Sequence, residues 1–146
     1  MKKIITVFLL IFLISCAKNF SEILIDNGEK LITLKVEIAD DNEERIKGLM
    51  FRDKLNENEG MFFIFDNVEY HTFWMKNTLI PLDIIFIDKN LEIVDIKYAV
   101  PCKEDPCNLY KPSKSAKYVL EVNGNFTVKN NIDIGDEIIL NVNEKY

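Results

Sequence analysis

The chain has 146 residues, of which 48% are hydrophobic and 29% charged, and its formal net charge is −6. This balance is that of an ordinary globular domain and excludes disordered, collagen-like and fibrous classes. An acidic chain without a basic cluster also speaks against nucleic acid as a partner, because binding phosphates needs concentrated Lys and Arg.

The N-terminus reads as an export signal. Lys2 and Lys3 form a positive start, residues 4–14 are apolar, and Ser15 then precedes Cys16. The pattern resembles a bacterial lipoprotein signal, in which the cysteine is lipidated and becomes the new N-terminus. An apolar run of about 11 residues rises only ~17 Å as a helix, well short of the ~30 Å hydrocarbon core, so it does not read as a membrane span. The expected organisation is therefore a signal peptide at 1–15, a lipidated cysteine with a short tether at 16–22, and one β domain at 23–146. The location this implies is the extracytoplasmic face of a membrane in the cell envelope. Several acyl chains on Cys16 would make that attachment effectively permanent, since one chain alone binds only marginally.

Residues 23–25 and 31–39 read as two strands of a hairpin around Asn27-Gly28, a dipeptide that favours tight β turns. In the second strand Leu34, Val36 and Ile38 share one face, against Lys35 and Glu37 on the other. Asp40 or Asp41, followed three residues later by Glu43 or Glu44, has capping-box spacing and predicts a short helix near residues 41–50. Ile46, Leu49 and Met50 supply the stripe expected to face the sheet, while Gly48 weakens the helix interior.

Strand periodicity returns at residues 61–65, 70–75 and 82–87. Ile84, Ile85, Phe86 and Ile87 form a run with no polar side, as in a strand buried on both faces. Asp88-Lys89-Asn90 turns the chain into a strand at 91–96. Residues 98–115 hold Pro101, Pro106, Pro112 and two cysteines, and predict a long irregular loop. Strands are expected at 118–122 and 137–142, with a helical turn at 126–131. About eight short strands and one short helix predict a mainly β fold, a compact antiparallel barrel or sandwich.

With Cys16 taken by lipid, Cys102 and Cys107 remain as a pair in an oxidising compartment, where disulfides persist. Closing so small a loop contributes only about 2 kcal/mol, so the bridge would pin a local loop. The rival reading, a metal-ligating pair, lacks the further Cys or His ligands of a structural zinc site, since His71 is the only histidine. His71 and Met75 share a strand face, but four residues at ~3.3 Å put them roughly 13 Å apart, so no metal is assigned to them. No cofactor is assigned either.

Chemistry points to residues 74–83. Lys76, Asn77 and Thr78 follow a Trp74-Met75 strand end, which places hydrogen-bond donors beside an apolar wall, as small-ligand pockets require. Trp74 could stack on a ring or sugar face, Lys76 could hold an anion, and Asn77 could bond an amide or hydroxyl. The plainer alternative puts Trp74 in the core, Asn77 and Thr78 in a turn, and Lys76 against Asp83. Asp83 and Glu121 each interrupt an apolar strand. Such a carboxylate is either paired, here with Lys76, Arg45 or Arg52, or poised for acid–base chemistry. No Gly-x-Ser-x-Gly elbow or glycine-rich phosphate loop is present.

Phe73-Trp74-Met75-Lys76-Asn77-Thr78 and Pro81-Leu82-Asp83 occur together with Gly48-Leu49-Met50, Gly60-Met61-Phe62, the Pro101-Cys102 to Cys107 loop and Tyr118-Val119-Leu120-Glu121. In these strings, over about residues 36–137, the chain closely resembles the domain of unknown function family 192, also called uncharacterised protein family 0127. The resemblance implies a compact β fold, often exported, with no established activity. The combined expectation is a membrane-anchored binding or accessory module that takes a small molecule, envelope component or protein through Trp74, Met75, Lys76, Asn77, Asp83 and Glu121. Two alternatives stand beside it: an envelope-acting enzyme with Asp83 or Glu121 as acid or base, and a structural or assembly partner without a ligand site.

Overall fold

The computed structural model describes residues 20–140. The signal segment, Cys16 and the expected strand's end at 141–142 lie outside the described residues. β1 (Phe20–Asp26) and β2 (Leu31–Ala39) form the expected hairpin, followed by α1 (Asn42–Lys47). β3 (Glu59–Glu69), β4 (Phe73–Trp74), β5 (Leu82–Ile87), β6 (Ile93–Ala99), β7 (Leu109–Tyr110) and β8 (Ala116–Asn123) come next, then α2 (Phe126–Asn130) and β9 (Glu137–Leu140). No helix among the described residues is long and apolar enough to cross a membrane.

The fold is mainly β, as expected. Seven strands form one curled sheet in the order β6-β5-β8-β3-β2-β1-β9, and β4 pairs with β7 in a small second sheet. The two ends of the large sheet approach each other where Glu92 bridges Glu137. There Ile93 donates to the Asp136 carbonyl at 2.9 Å and Ile138 to the Leu91 carbonyl at 2.8 Å. These bonds draw the sheet toward a barrel and cover part of its edge.

Several elements differ from expectation. β1 starts at Phe20, so residues 20–22 are strand rather than tether. β2 and β3 run parallel, because α1 carries the chain across before it re-enters the sheet. α1 stops at Gly48, whose φ of +47° breaks the helix, so Ile46 never turns inward and is 72% exposed. Leu49, beyond the helix end, is buried. β3 runs on to Glu69, and the expected strand at 70–75 shrinks to Phe73–Trp74, held by β7 from the cysteine loop.

Strand alternation supplies both faces of the large sheet with core. On the concave face, Ile25, Leu34, Val36, Phe62, Ile85, Leu120 and Val122 pack with Phe126 of α2. On the other face, Phe63, Leu82, Ile84, Phe86 and Val119 pack against Leu49, Met75 and Phe73. All six residues of β5 are buried, in accord with its unbroken apolar run. Gly60 sits where a Cβ would come 2.7 Å from the Glu121 carbonyl, so only glycine allows β3 and β8 to approach there.

Asp83 lies on the concave side and is 2% exposed. Its carboxylate accepts from the Asn125 amide at 3.0 Å, the Thr127 amide at 2.9 Å and the Thr127 hydroxyl at 2.7 Å. Asn125, the residue at the start of α2, makes no side-chain cap. Asp83 therefore caps α2 from a distant strand, replacing the ion pair with Lys76 that the sequence offered. Replacing Asp83 by Ala leaves three donors unsatisfied, and a loss of about 3 kcal/mol is expected in urea unfolding. Thr127→Val, which removes one of the three bonds, should lose roughly a third as much.

Candidate functional site

A pocket of about 530 Å³ opens on the convex face, between α1 and the β3–β4 connection. β3 builds its wall by alternation, since Phe63 and Phe65 point to the same face two residues apart. Phe73 of β4 meets both edge-on, with ring centroids 5.2 Å from Phe63 and 6.3 Å from Phe65. Trp74, 47% exposed, stands at the mouth. Gly48 lines the pocket, and a Cβ there would lie 3.4 Å from the Phe63 ring and 3.7 Å from the Glu121 carboxylate.

Arg45 fixes the upper wall. Its guanidinium donates to the Asp40 carbonyl at 2.6 Å, the Ile64 carbonyl at 2.7 Å and the Asn42 side chain at 2.8 Å, which ties α1 to β3. It also lies 5.6 Å from the centre of the Phe65 ring, a cation–π distance. His71 stacks on Phe65 with centroids 3.6 Å apart, and its Nε2 lies 3.3 Å from the Asn67 carbonyl. Burial pulls the His71 pKa below its usual value, with the Asn67 carbonyl acting the other way. The imidazole is thus largely neutral at pH 7.

Glu121 lies at the base. Alternation on β8 sends its side chain to the convex face, opposite Leu120 and Val122. Register sets Glu37, Met61 and Glu121 side by side across β2, β3 and β8. Arg52 reaches this row but is held by Glu37 through two bonds of 2.5 and 2.7 Å. No described residue donates a hydrogen bond to the Glu121 carboxyl, and only the Arg52 charge faces it from longer range. Burial, partly offset by Arg52, pushes the Glu121 pKa up to about 8. The ion pair of Glu121 with Lys76, Arg45 or Arg52 that the sequence allowed does not form among the described residues.

The other sequence candidates are dispersed. Met75 is buried in the convex core, 1% exposed. Lys76 pairs with Asp105 at 3.0 Å and sits 5.7 Å from the Trp74 ring centre. Asn77 adopts a φ of +57° in a turn, and its carbonyl accepts from the Phe51 amide at 2.8 Å. Asp83 faces away from the pocket. Cys102 and Cys107 are joined by a disulfide, and the Cys102 amide bonds the Met75 carbonyl at 3.2 Å, tying the bridged loop to the Trp74 strand. With Asp105 these sulfurs form the cluster of possible metal ligands among the described residues, but as a disulfide they offer no thiolate.

Sequence reasoning missed the three phenylalanines and Arg45 as pocket walls, and set His71 aside as a metal ligand or catalytic group. The period-2 spacing of Phe63 and Phe65 was a usable signal. Nothing local announced that Arg45 would bridge α1 to β3.

The fold and site define a curled β-sheet protein with an aromatic-walled pocket lined at its base by the Glu121 carboxyl. The chain belongs to the DUF192 family of uncharacterised ACR proteins, whose profile matches residues 23–140. It is 36% identical over 121 residues to a UPF0127 protein of Thermococcus sibiricus, spanning 80% of this chain and 72% of that one. A crystal structure of a Novosphingobium aromaticivorans protein of unknown function superposes with a TM-score of 0.77 and 33% identity, covering 82% of this chain and 84% of that one. A Sinorhizobium meliloti structure described as a candidate transcription regulator gives a TM-score of 0.78 and 30% identity over 84% and 95% of the two chains.

The Glu121 pKa generates a pH dependence whose sign is fixed. Below pH 4.5 the carboxyl is neutral in both folded and unfolded chains. Above that the unfolded chain releases the proton while the folded protein retains it until about pH 8, so stability falls through this window. Glu121→Gln should remove that slope, and should exceed the wild type in stability by a few kcal/mol at pH 8, on the order expected for a shift of this size. Urea denaturation of both proteins from pH 4 to pH 9 checks it. Parallel curves would show that Glu121 ionises normally in the fold.

Proposed function

We propose that the protein is a membrane-anchored, extracytoplasmic binding or accessory module whose pocket between α1 and β3 takes a small molecule. The observation that carries this reading is the Glu121 carboxyl, which has no hydrogen-bond donor among the described residues and faces an open pocket walled by Phe63 and Phe73. A few polar groups set in an apolar concavity are the usual means of orienting a guest. Trp74 at the mouth provides a flat apolar surface, and the Lys76–Asp105 contact braces its strand from the bridged loop.

The anchor rests on the Lys2 to Cys16 pattern, with the Cys102–Cys107 bridge as supporting chemistry, since disulfides persist in oxidising compartments. The acidic balance of −6 speaks against extending the transcription-regulator description of the Sinorhizobium meliloti neighbour to this chain.

Acid–base chemistry on the guest is the second reading, favoured by a carboxyl that stays protonated at neutral pH. The supports for it stop there. Asp83 is engaged as a helix cap, and His71 is held against Phe65 and the Asn67 carbonyl.

Trp74 is the chain's single tryptophan, so its emission reports the pocket mouth directly. Titration of the full chain with panels of amines, sugars and amino acids should include a compound that shifts this emission, and Gly48→Leu, which fills the pocket, should abolish the shift. A panel without effect on emission or thermal stability counts against small-molecule binding. For the anchor, an alkyne fatty acid should label the wild type but not Cys16→Ala, which should leave the membrane fraction. Unlabelled wild-type protein in the cytosol would remove that part of the reading.

A further inference from the structure

Apart from Glu121, the charged side chains around the pocket are either engaged by other groups or exposed to water. Arg52 is engaged by Glu37, Arg45 by two carbonyls and the Asn42 side chain, and Lys76 by Asp105. Lys47 of α1 and Asp66 and Glu69 of β3, on the outer wall, are exposed to water. His71, at the far end, is held by Phe65 and the Asn67 carbonyl. Glu121 alone at the base lacks a donor among the described residues, although it is 5% exposed and lines the pocket. Its oxygens open onto the pocket and are not sealed in the core as unsatisfied atoms, and the group that pairs best with such a carboxylate is a cation with N–H donors. The walls suit such a guest, because the negative faces of aromatic rings attract ammonium groups.

We infer that the pocket takes a small amine in its protonated form, the ammonium donating to the Glu121 carboxylate while its apolar part packs against Phe63, Phe73 and Trp74. The inference rests on the binding reading above and specifies the guest. Binding moves one proton: the Glu121 O–H bond breaks, the proton passes to buffer, and the ammonium takes its place as the partner of the carboxylate. A neutral guest would do the reverse, using the protonated carboxyl as donor and losing affinity as that proton leaves. Arg52 acts on Glu121 through its charge, while its two hydrogen bonds go to Glu37.

Calorimetric titration of the full chain with benzylamine and with benzyl alcohol, at pH 6, 7 and 8, tests this. Benzylamine stays protonated throughout that range. Its affinity should rise about tenfold per pH unit at the acid end and flatten near pH 8, with one proton released per amine bound in buffers of different ionisation heat. Glu121→Gln should abolish the pH dependence and weaken benzylamine at least tenfold at pH 8, while the melting temperature at that pH does not fall. Benzylamine affinity that is flat or falls with pH, or that survives Glu121→Gln, overturns the inference. Benzyl alcohol binding alone would overturn the cationic guest while keeping the pocket reading; binding of neither probe, with Trp74 emission unmoved across the wider panel, would overturn both.

Discussion

A sheet whose central strands are covered on both faces leaves no strand position for an unsupported charge, and the architecture of this protein follows from that constraint. β5 and the middle of β3 and β8 are buried above and below, so alternation there sorts side chains between two cores rather than between core and water. Every polar side chain placed on these strands needs a partner from some other element or a space of its own. The chain provides one solution of each kind.

Asp83 and Glu121 show the two solutions side by side. In the β5–β8 register Asp83 faces Val122 and Ile84 faces Glu121, so the carboxylates are one residue apart along the ladder yet project to opposite faces. On the concave face Asp83 meets the start of α2 and satisfies amides that the helix cannot bond internally. On the convex face α1 ends early at Gly48, and the missing side chain leaves the Glu121 carboxyl open to a pocket instead of sealed in the core. One carboxylate caps a helix, and the other faces an open pocket.

The convex face is assembled from pieces that could not stand alone. The two-residue strands β4 and β7 have few ladder bonds, so the bridged loop, the Lys76–Asp105 pair and the Cys102 amide bond to Met75 keep them in place. Arg45 does the same for α1, a helix of 6 residues too short to persist in water without tertiary contacts. The pocket walls therefore depend on local ties that link short segments to the sheet.

Much of the β architecture was legible in the residues themselves, because period-2 alternation, the Asn27-Gly28 turn and the apolar run of β5 each reflect short-range physics. The helix cap was readable to within two residues, Asp40 or Asp41, and falls at Asp41; the Cys102–Cys107 pairing was readable from the number of cysteines and the expected compartment. The parallel pairing of β2 with β3 was not, since it depends on where α1 returns the chain. Nor could the sequence tell Asp83 from Glu121: each is an acid in an apolar strand, and their different fates come from what lies across the sheet, α2 on one side and the opening left by Gly48 on the other. Alternation along each strand is a local property that the residues determine; what covers each face is a property of segments far apart in the chain, and only the tertiary structure decides it.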